Sequence, residues 1–116
     1  MKFVPNASLS NVAASHENPL DPGVLKKVLL SHLDGVGGNI QMINWATLLP
    51  HKSFEKHAHV DMREIFILTE GNATATVNQE QILLQKGDML IVDPTEMHSM
   101  KNETGTPVLF LAIGIV

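Results

Sequence analysis

The chain has 116 residues, a net charge of −4 and no cysteine. This length supports one domain with one core, and the lack of cysteine excludes disulfides and thiolate metal ligands. Lysine and arginine are scattered, and the only adjacent basic pair is Lys26-Lys27, so no nucleic-acid-binding surface is predicted. Neither a membrane-spanning segment nor a signal peptide is indicated, so we expect a cytoplasmic protein with neither nucleic acid nor membrane as partner.

The first 23 residues are rich in Asn, Ser, Ala and Pro and show no periodicity. We therefore predict an N-terminal arm over residues 1–23, either flexible or ordered by a partner, followed by a single domain over residues 24–116. The apolar residues of 24–30 fit one face of a helix as well as a strand. The β-rich character of the remaining chain favours the strand.

From residue 39 onward, short apolar or alternating segments are separated by turn residues. The predicted strands span residues 39–48, 53–59, 64–69, 72–78, 81–84, 89–92, 98–102 and 108–116. Many short strands joined by tight turns favour an all-β, antiparallel jelly-roll barrel. The last of them is apolar except at Gly114, which places it inside the sandwich or across a two-fold interface, and we expect a homodimer.

Four side chains have spacings that suit one metal ion. His57 and His59 share a face if their segment is a strand, with Cα atoms roughly 6–7 Å apart. Glu64 opens the next apolar segment, where an unpaired carboxylate is costly, and His98 joins them if the barrel folds back on itself. Imidazole nitrogen and carboxylate oxygen together suit one divalent ion of Mn, Fe, Ni, Co or Zn. The alternative, that histidines are ordinary surface residues, is our interpretation of His16 and His32.

These residues also resemble the two short motifs of the cupin superfamily of small β-barrels. The first motif is Gly, five residues, His-x-His, three or four residues, Glu, six residues, Gly. This chain matches it from His57 to Gly71, with His51 where the leading glycine is expected. The resemblance implies the double-stranded β-helix of that superfamily, with the metal ligands His57, His59, Glu64 and His98.

The second cupin motif is matched less completely. Gly87, His98 and Asn102 stand in register, whereas Pro94 comes one place late and Glu96 stands where glycine is usual. This departure leaves the turn before His98 undefined by the resemblance.

Strand alternation predicts which other residues face the interior. Phe66 and Leu68 share the face of Glu64, and Met100 shares that of His98. With Met89 these residues are candidate pocket-lining residues of a mostly apolar small-molecule site, and their alternative interpretation is plain barrel core. Alternation also turns Ser53 and Glu55 inward.

A general acid or base is harder to assign. Glu55 and His51 are the candidates because they lie close to the ligands in sequence, but the alternative for Glu55 is a solvated carboxylate at the rim.

Two classes of function follow. The first is a metal-dependent enzyme of dioxygenase, isomerase or decarboxylase type, dioxygenase being favoured, which acts on a small organic molecule coordinated at a His₃Glu centre. The second is a non-catalytic module that binds or senses a small molecule or sugar.

Overall fold

The computed structural model describes all residues 1–116, and half of them lie in β-strands. The ten strands are β1 (Val12–Ala13), β2 (Val24–Ser31), β3 (Ile40–Leu48), β4 (Ser53–His57), β5 (Arg63–Glu70), β6 (Ala73–Val77), β7 (Glu80–Leu84), β8 (Met89–Val92), β9 (His98–Lys101) and β10 (Val108–Ile115). Two 3₁₀ turns cover Asn6–Ser8 and His32–Asp34. No helix is long and apolar enough to cross a membrane.

The strands form two antiparallel sheets that face each other. One has six strands in the order β1-β2-β3-β10-β5-β8, and the other has four in the order β4-β9-β6-β7. Consecutive strands of the chain alternate between the sheets at several points, as a jelly roll requires. The predicted all-β antiparallel jelly roll is confirmed, as is the choice of strand over helix for the segment that begins at Val24.

The core lies between the two sheets and is built by alternation. Along β10, every second residue from Val108 to Gly114 is buried, because alternate side chains point to opposite faces of the sheet and one face packs against the smaller sheet. This strand lies in the middle of the larger sheet, between β3 and β5. One face of the apolar C-terminal strand therefore lies inside the sandwich, which is the first of its two predicted places, and the other face lies on the outside of the sheet. Fully enclosed side chains from both sheets, among them Leu48, Leu68 and Met100, complete the core.

The outer faces of the two sheets differ in chemistry. The smaller sheet presents Thr74, Thr76, Gln81, Ser99 and Lys101 to solvent. The larger sheet presents aliphatic and aromatic side chains, which form cross-strand rows such as Ile67–Leu111–Trp45 and Ile65–Ile113–Ile43. Met89 and Ile91 extend this apolar face to the edge strand β8, where they are 57% and 47% exposed. Only the smaller sheet thus has the polar outer face of a solvated sheet.

The N-terminal segment packs against the barrel through residues 12–17. Strand β1 pairs with β2, and the Glu17 carboxylate accepts hydrogen bonds from the backbone N–H groups of Gly23 (2.6 Å), Val24 (3.1 Å) and Glu55 (3.2 Å). Since Val24 and Glu55 belong to different sheets, one side chain ties the two together. The predicted arm over residues 1–23 and its ordering by a partner stay predictions.

Four non-glycine residues, His16, His51, Asn78 and Thr95, adopt backbone conformations that usually favour glycine, and two of them bear on the cupin motifs. His51 has φ of 59° and Thr95 has φ of 72°. His51 therefore has the left-handed conformation that the motif's leading glycine would adopt without strain. In the second motif, the assignment of the inner glycine position to Glu96 is wrong by one residue. Two residues separate that position from His98, so Thr95 occupies it, and Thr95 has the left-handed conformation.

The motif residue Asn102 has a structural role. Its side chain is fully buried, and its amide nitrogen donates to the carbonyl oxygens of Leu48 (3.1 Å), Leu49 (3.3 Å) and Thr106 (2.8 Å). Its amide oxygen accepts from the backbone N–H and the hydroxyl of Thr104 at 2.9 and 2.6 Å. One amide thus joins the turn before β10 to the end of β3.

Asn102→Ala should destabilise the fold by about 3 kcal/mol, because it leaves several buried carbonyl and N–H groups without partners. Urea denaturation measures the loss. Asn72→Ala, at an exposed turn residue, is the matched control and should change the stability by less than about 0.5 kcal/mol. Equal stability of the two variants would contradict the structural role of Asn102.

Candidate metal centre

Three strands and one loop bring the four candidate ligands together. His57 is the last residue of β4, His59 lies in the loop after it, Glu64 is the second residue of β5, and His98 begins β9. His57 lies directly opposite His98 in the β4–β9 pair. This pairing of neighbouring strand ends is what makes side chains so distant in sequence converge.

The inward direction of the histidines depends on an irregularity in β4. Its register against β9 shifts between Phe54 and His57, so both of these residues face the interior while Ser53 and Glu55 are exposed. The prediction that Ser53 and Glu55 face inward is therefore wrong. A β-bulge inserts one extra residue into a strand, so residues on either side of the bulge no longer follow simple alternation between the two faces.

The ligand atoms converge on the Glu64 carboxylate. Its Oε1 lies 2.8 Å from Nε2 of His59, 3.1 Å from Nε2 of His98 and 3.9 Å from Nε2 of His57. All four donor atoms lie within 4.8 Å of one another.

These separations fit shared coordination of one ion. Two ligands about 2.1 Å from the same ion and at right angles to each other lie about 3.0 Å apart, and opposite ligands lie about 4.2 Å apart. Only small side-chain movements would bring three imidazole nitrogens and one carboxylate oxygen into such a set. The donor chemistry and the geometry therefore both fit a divalent transition metal.

Backbone carbonyl groups orient two of the three imidazoles. Nδ1 of His57 lies 2.6 Å from the carbonyl oxygen of Glu55, and Nδ1 of His98 lies 3.0 Å from that of Glu96. Because each Nδ1–H donates to a carbonyl, Nε2 of the neutral ring keeps its lone pair and points toward Glu64. Metal-binding histidines usually have such a hydrogen bond from the ring nitrogen that does not bind the metal.

Burial and charge act against each other within the cluster. Burial of Glu64 favours its neutral form, but the hydrogen bond from His98 and the nearby imidazoles outweigh it and lower the pKa of the carboxyl group. For His98, burial opposes the charged form, but the bonds to Glu64 and to the Glu96 carbonyl raise its pKa overall. Burial lowers the pKa of His57. A carboxylate here thus requires a positive partner, which is a proton on His98 or a bound cation.

Comparison with known proteins agrees with the fold and the site. Residues 44–114 match the family described as "Cupin domain". The chain belongs to the cupin family. The predicted resemblance is thereby confirmed, and the matched region contains all four candidate ligands.

Individual relatives of this cupin differ in the activities that their names state. A relative from Streptomyces glaucescens, tetracenomycin polyketide synthase protein TcmJ, is 27% identical over 100 residues, which make up 86% of this chain and 64% of that protein. The structure of a predicted oxalate decarboxylase from Thermotoga maritima is 24% identical, with a TM-score of 0.86 and 99% coverage of both chains. The polyketide cyclase RemF from Streptomyces resistomycificus is 15% identical, with a TM-score of 0.83 and coverage of 99% of this chain and 79% of that one.

The cupin barrel opens into a cavity of about 240 Å³. His57, His59 and Glu64 line it, whereas His98 is 2% exposed and is enclosed behind them. The remaining wall is mostly apolar and includes Phe54, Phe66, Met42, Met62, Ala46, Phe110 and Ala112. The candidate metal centre is thus the polar part of a small, largely apolar cavity, which is typical of a small-molecule site.

The four predicted pocket-lining residues have different positions. Phe66 lines the cavity. Leu68 and Met100 are buried in the core and do not line it, which agrees with their alternative interpretation. The expectation for Met89 is corrected, because it pairs with Ile67 on the outer face of the larger sheet and is mainly exposed.

Neither candidate acid or base places its side chain in the cavity. The side chain of Glu55 is exposed on the outside of β4, and His51 is exposed in the turn before that strand. Glu55 contributes instead through its backbone, since its carbonyl accepts from His57 and its N–H donates to Glu17.

Most of the cavity wall was not identified from the sequence, including its polar residues Ser15, His16, Lys26 and Asn44. His16, interpreted as a surface residue, stacks on the His57 ring with a centroid separation of 4.7 Å and also lines the cavity. Lys26 and Asn44 line it from β2 and β3. His32 is exposed and lies outside the cavity, as expected. No local signal separates His16 from His32, because the arm reaches the cavity only through the tertiary fold.

His59→Ala should remove most of the bound metal and lower the melting temperature of the metal-free protein only modestly. The His59 side chain is partly exposed and its short contact is to Glu64, so its loss removes a ligand without opening the core. Elemental analysis after purification measures the metal content, and calorimetry measures the stability. His32→Ala is the matched control. A His59→Ala variant that keeps one ion per chain would contradict the assigned ligand set.

Proposed function

We propose that this cupin is a metal-dependent enzyme that acts on a small organic molecule bound to the ion through two oxygen atoms. The observation that carries the proposal is the convergence of three imidazole nitrogens and one carboxylate at the wall of an apolar cavity of about 240 Å³. An ion that prefers six coordinating atoms keeps two coordination positions for the small molecule when the protein supplies four. A divalent ion at this place supplies Lewis acidity and a template for the reacting oxygens.

The residues of the chain would perform the supporting tasks. Carbonyl bonds hold His57 and His98 in the tautomer that presents Nε2. Phe54, Phe66 and Phe110 exclude water from the ligand, which strengthens every electrostatic interaction at the centre. Polar groups of His16, Lys26 and Asn44 face the same space and would orient the ligand.

The names of similar proteins support chemistry on oxygen-rich organic molecules. They include a predicted oxalate decarboxylase and a polyketide cyclase, and both activities suit an ion that polarises a carbonyl or carboxylate oxygen. We therefore favour decarboxylation, isomerisation or ring closure with a redox-silent ion. The dioxygenase type that the sequence favours needs a redox-active ion such as iron. It is the reaction type that we propose if the ion proves to be redox-active.

A non-catalytic binding module is the second candidate, and one observation favours it. Among the residues that line the cavity, the only carboxylate is Glu64, which is itself a ligand. Both residues proposed as acid or base, Glu55 and His51, lie outside. A reaction that needs a separate carboxyl group as acid or base would therefore lack that group, whereas binding of a small molecule needs no such group.

Two measurements separate these candidates. Elemental analysis of protein purified without added metal identifies the ion, and the loaded protein is then assayed with diketones, catechols, thiols and oxo acids for product formation and oxygen consumption. We expect turnover that is lost in Glu64→Gln and kept in His32→Ala. Binding of a compound without turnover, with every ion tested, would support the binding module instead. Purified protein without any transition metal that also fails to bind added ions would refute the metal-dependent enzyme.

We further propose that the apolar outer face of the larger sheet is covered by a second copy of the chain. The centre of this face, on strands β3, β10 and β5, carries no charged side chain, so two copies can meet there around a two-fold axis without like-charge repulsion; it consists of Ile43, Trp45, Ile65, Ile67, Leu111 and Ile113. Lys27 lies beside Trp45 at the β2 end of one row, where it donates to Asn6. The contrast with the polar face of the smaller sheet supports this choice, because a soluble sheet rarely exposes such a surface.

Light scattering at micromolar concentration should give about twice the 12.7 kDa of one chain. Ile91→Lys, which places a charge on the apolar face, should shift the protein to the monomer. Leu83→Lys, at an exposed apolar position of the smaller sheet, is the control and should leave the mass unchanged. A monomeric wild-type protein would refute the dimer.

A further inference from the structure

The cavity contains a lysine at a position where an apolar residue is usual. Lys26 lies in β2 opposite Ala46, and Ala46 is buried in the core, so the lysine belongs to the inner face of the larger sheet. Both residues line the cavity of the metal centre. The neighbouring Lys27 lies opposite Trp45 on the outer face, where its ammonium group donates to the backbone and side-chain oxygens of Asn6.

The ammonium group of Lys26 has no anionic partner within the chain. None of the salt bridges includes it, and its one hydrogen bond is a 3.3 Å contact with the hydroxyl of Ser15. Ser15 belongs to the N-terminal segment and also lines the cavity. The contact between Lys26 and Ser15 is exposed to solvent, so the ammonium group lies at the open part of the cavity and not in its apolar interior. The open part of the cavity therefore carries a positive charge that has no anionic partner, besides the candidate metal centre.

A second polar group lies beside it. Asn44 is 6% exposed and lines the cavity, and its amide nitrogen has only a 3.4 Å contact with the sulfur of Met42. Asn44 lies opposite Val28 in the β2–β3 pair, two residues beyond Lys26 along the strand. Lys26 and Asn44 thus offer a charge and hydrogen-bond donors on one wall, while His57, His59 and Glu64 form another part of the lining.

We propose that Lys26 binds a carboxylate at the far end of the ligand, whose near end coordinates the ion. This inference rests on the proposed function and adds the substrate class, a small dicarboxylic or oxo-dicarboxylic acid. The size of the cavity agrees, since about 240 Å³ corresponds to about eight water-sized groups. The positive charges of the ion and of Lys26 would balance the negative charges of Glu64 and such a ligand.

The test uses two compounds with the same chelating head. 2-Oxoglutarate and 2-oxopentanoate both bind a metal through an oxo acid group and have tails of similar length, but only the first ends in a carboxylate. Calorimetric titration into the cobalt-loaded full chain should show about tenfold tighter binding of 2-oxoglutarate, the size of one charge-assisted hydrogen bond. Lys26→Met should remove this preference by weakening 2-oxoglutarate about tenfold and 2-oxopentanoate less than twofold.

Three controls make the result specific. Lys27→Met removes the adjacent lysine on the outer face and should keep the preference. Lys26→Arg retains the charge and should also keep it, which separates loss of charge from damage to the fold. One cobalt ion per chain after each titration shows that the probe has not extracted the metal.

Each outcome has a distinct meaning. If the wild-type protein binds 2-oxopentanoate and 2-oxoglutarate equally, or if Lys26→Met keeps the preference, the role of Lys26 is refuted while the proposed function stands. If the cobalt-loaded wild-type protein binds neither compound, coordination of a small oxygen ligand fails, and the role of Lys26 fails with it.

Discussion

The Glu64 carboxylate is the constraint on which the centre depends. It is almost fully buried, and its nearest polar neighbours are three imidazoles, which are neutral unless protonated. A buried anion without a positive partner would destabilise the fold, so the pocket must hold either a proton on His98 or a cation among the four donors. A metal ion held by these four residues would replace that proton, so occupancy of the site would depend on the protonation of His98.

Backbone groups, more than side chains, fix the geometry around this carboxylate. The carbonyl oxygens of Glu55 and Glu96 orient two imidazoles, and the 2.6 Å bond from the N–H of Thr95 to the His59 carbonyl joins the turn before β9 to the loop after β4. The sharp turns at His51 and Thr95 precede the strands that carry His57 and His98. Ligands on rigid strand ends, supported by turns of fixed shape, need little reorganisation to accept an ion.

Most of the strands and all four candidate ligands could be identified from the sequence, because both depend on local patterns and on motif spacing. The face of the barrel on which each side chain lies was harder to predict. The inward direction of Glu55 was wrong because a bulge in β4 interrupts alternation, and Met89 was placed inside because an apolar residue on an apolar strand does not reveal which face is buried. His16 and Lys26 were missed because their places in the cavity follow from β1 and β2 meeting the barrel, a tertiary contact without a sequence pattern.

The N-terminal segment and the metal centre together define the cavity. The Glu17 carboxylate fixes this segment to both sheets, and the residues just before it, Ser15 and His16, line the cavity beside Lys26 and His57. The four candidate metal ligands come from the barrel, so the proposed metal binding and the proposed selection of the small molecule would depend on different parts of the chain. Such a division allows the ligand preference to change through the first strands while the four donors stay in place, which is consistent with one barrel serving proteins whose names state different reactions.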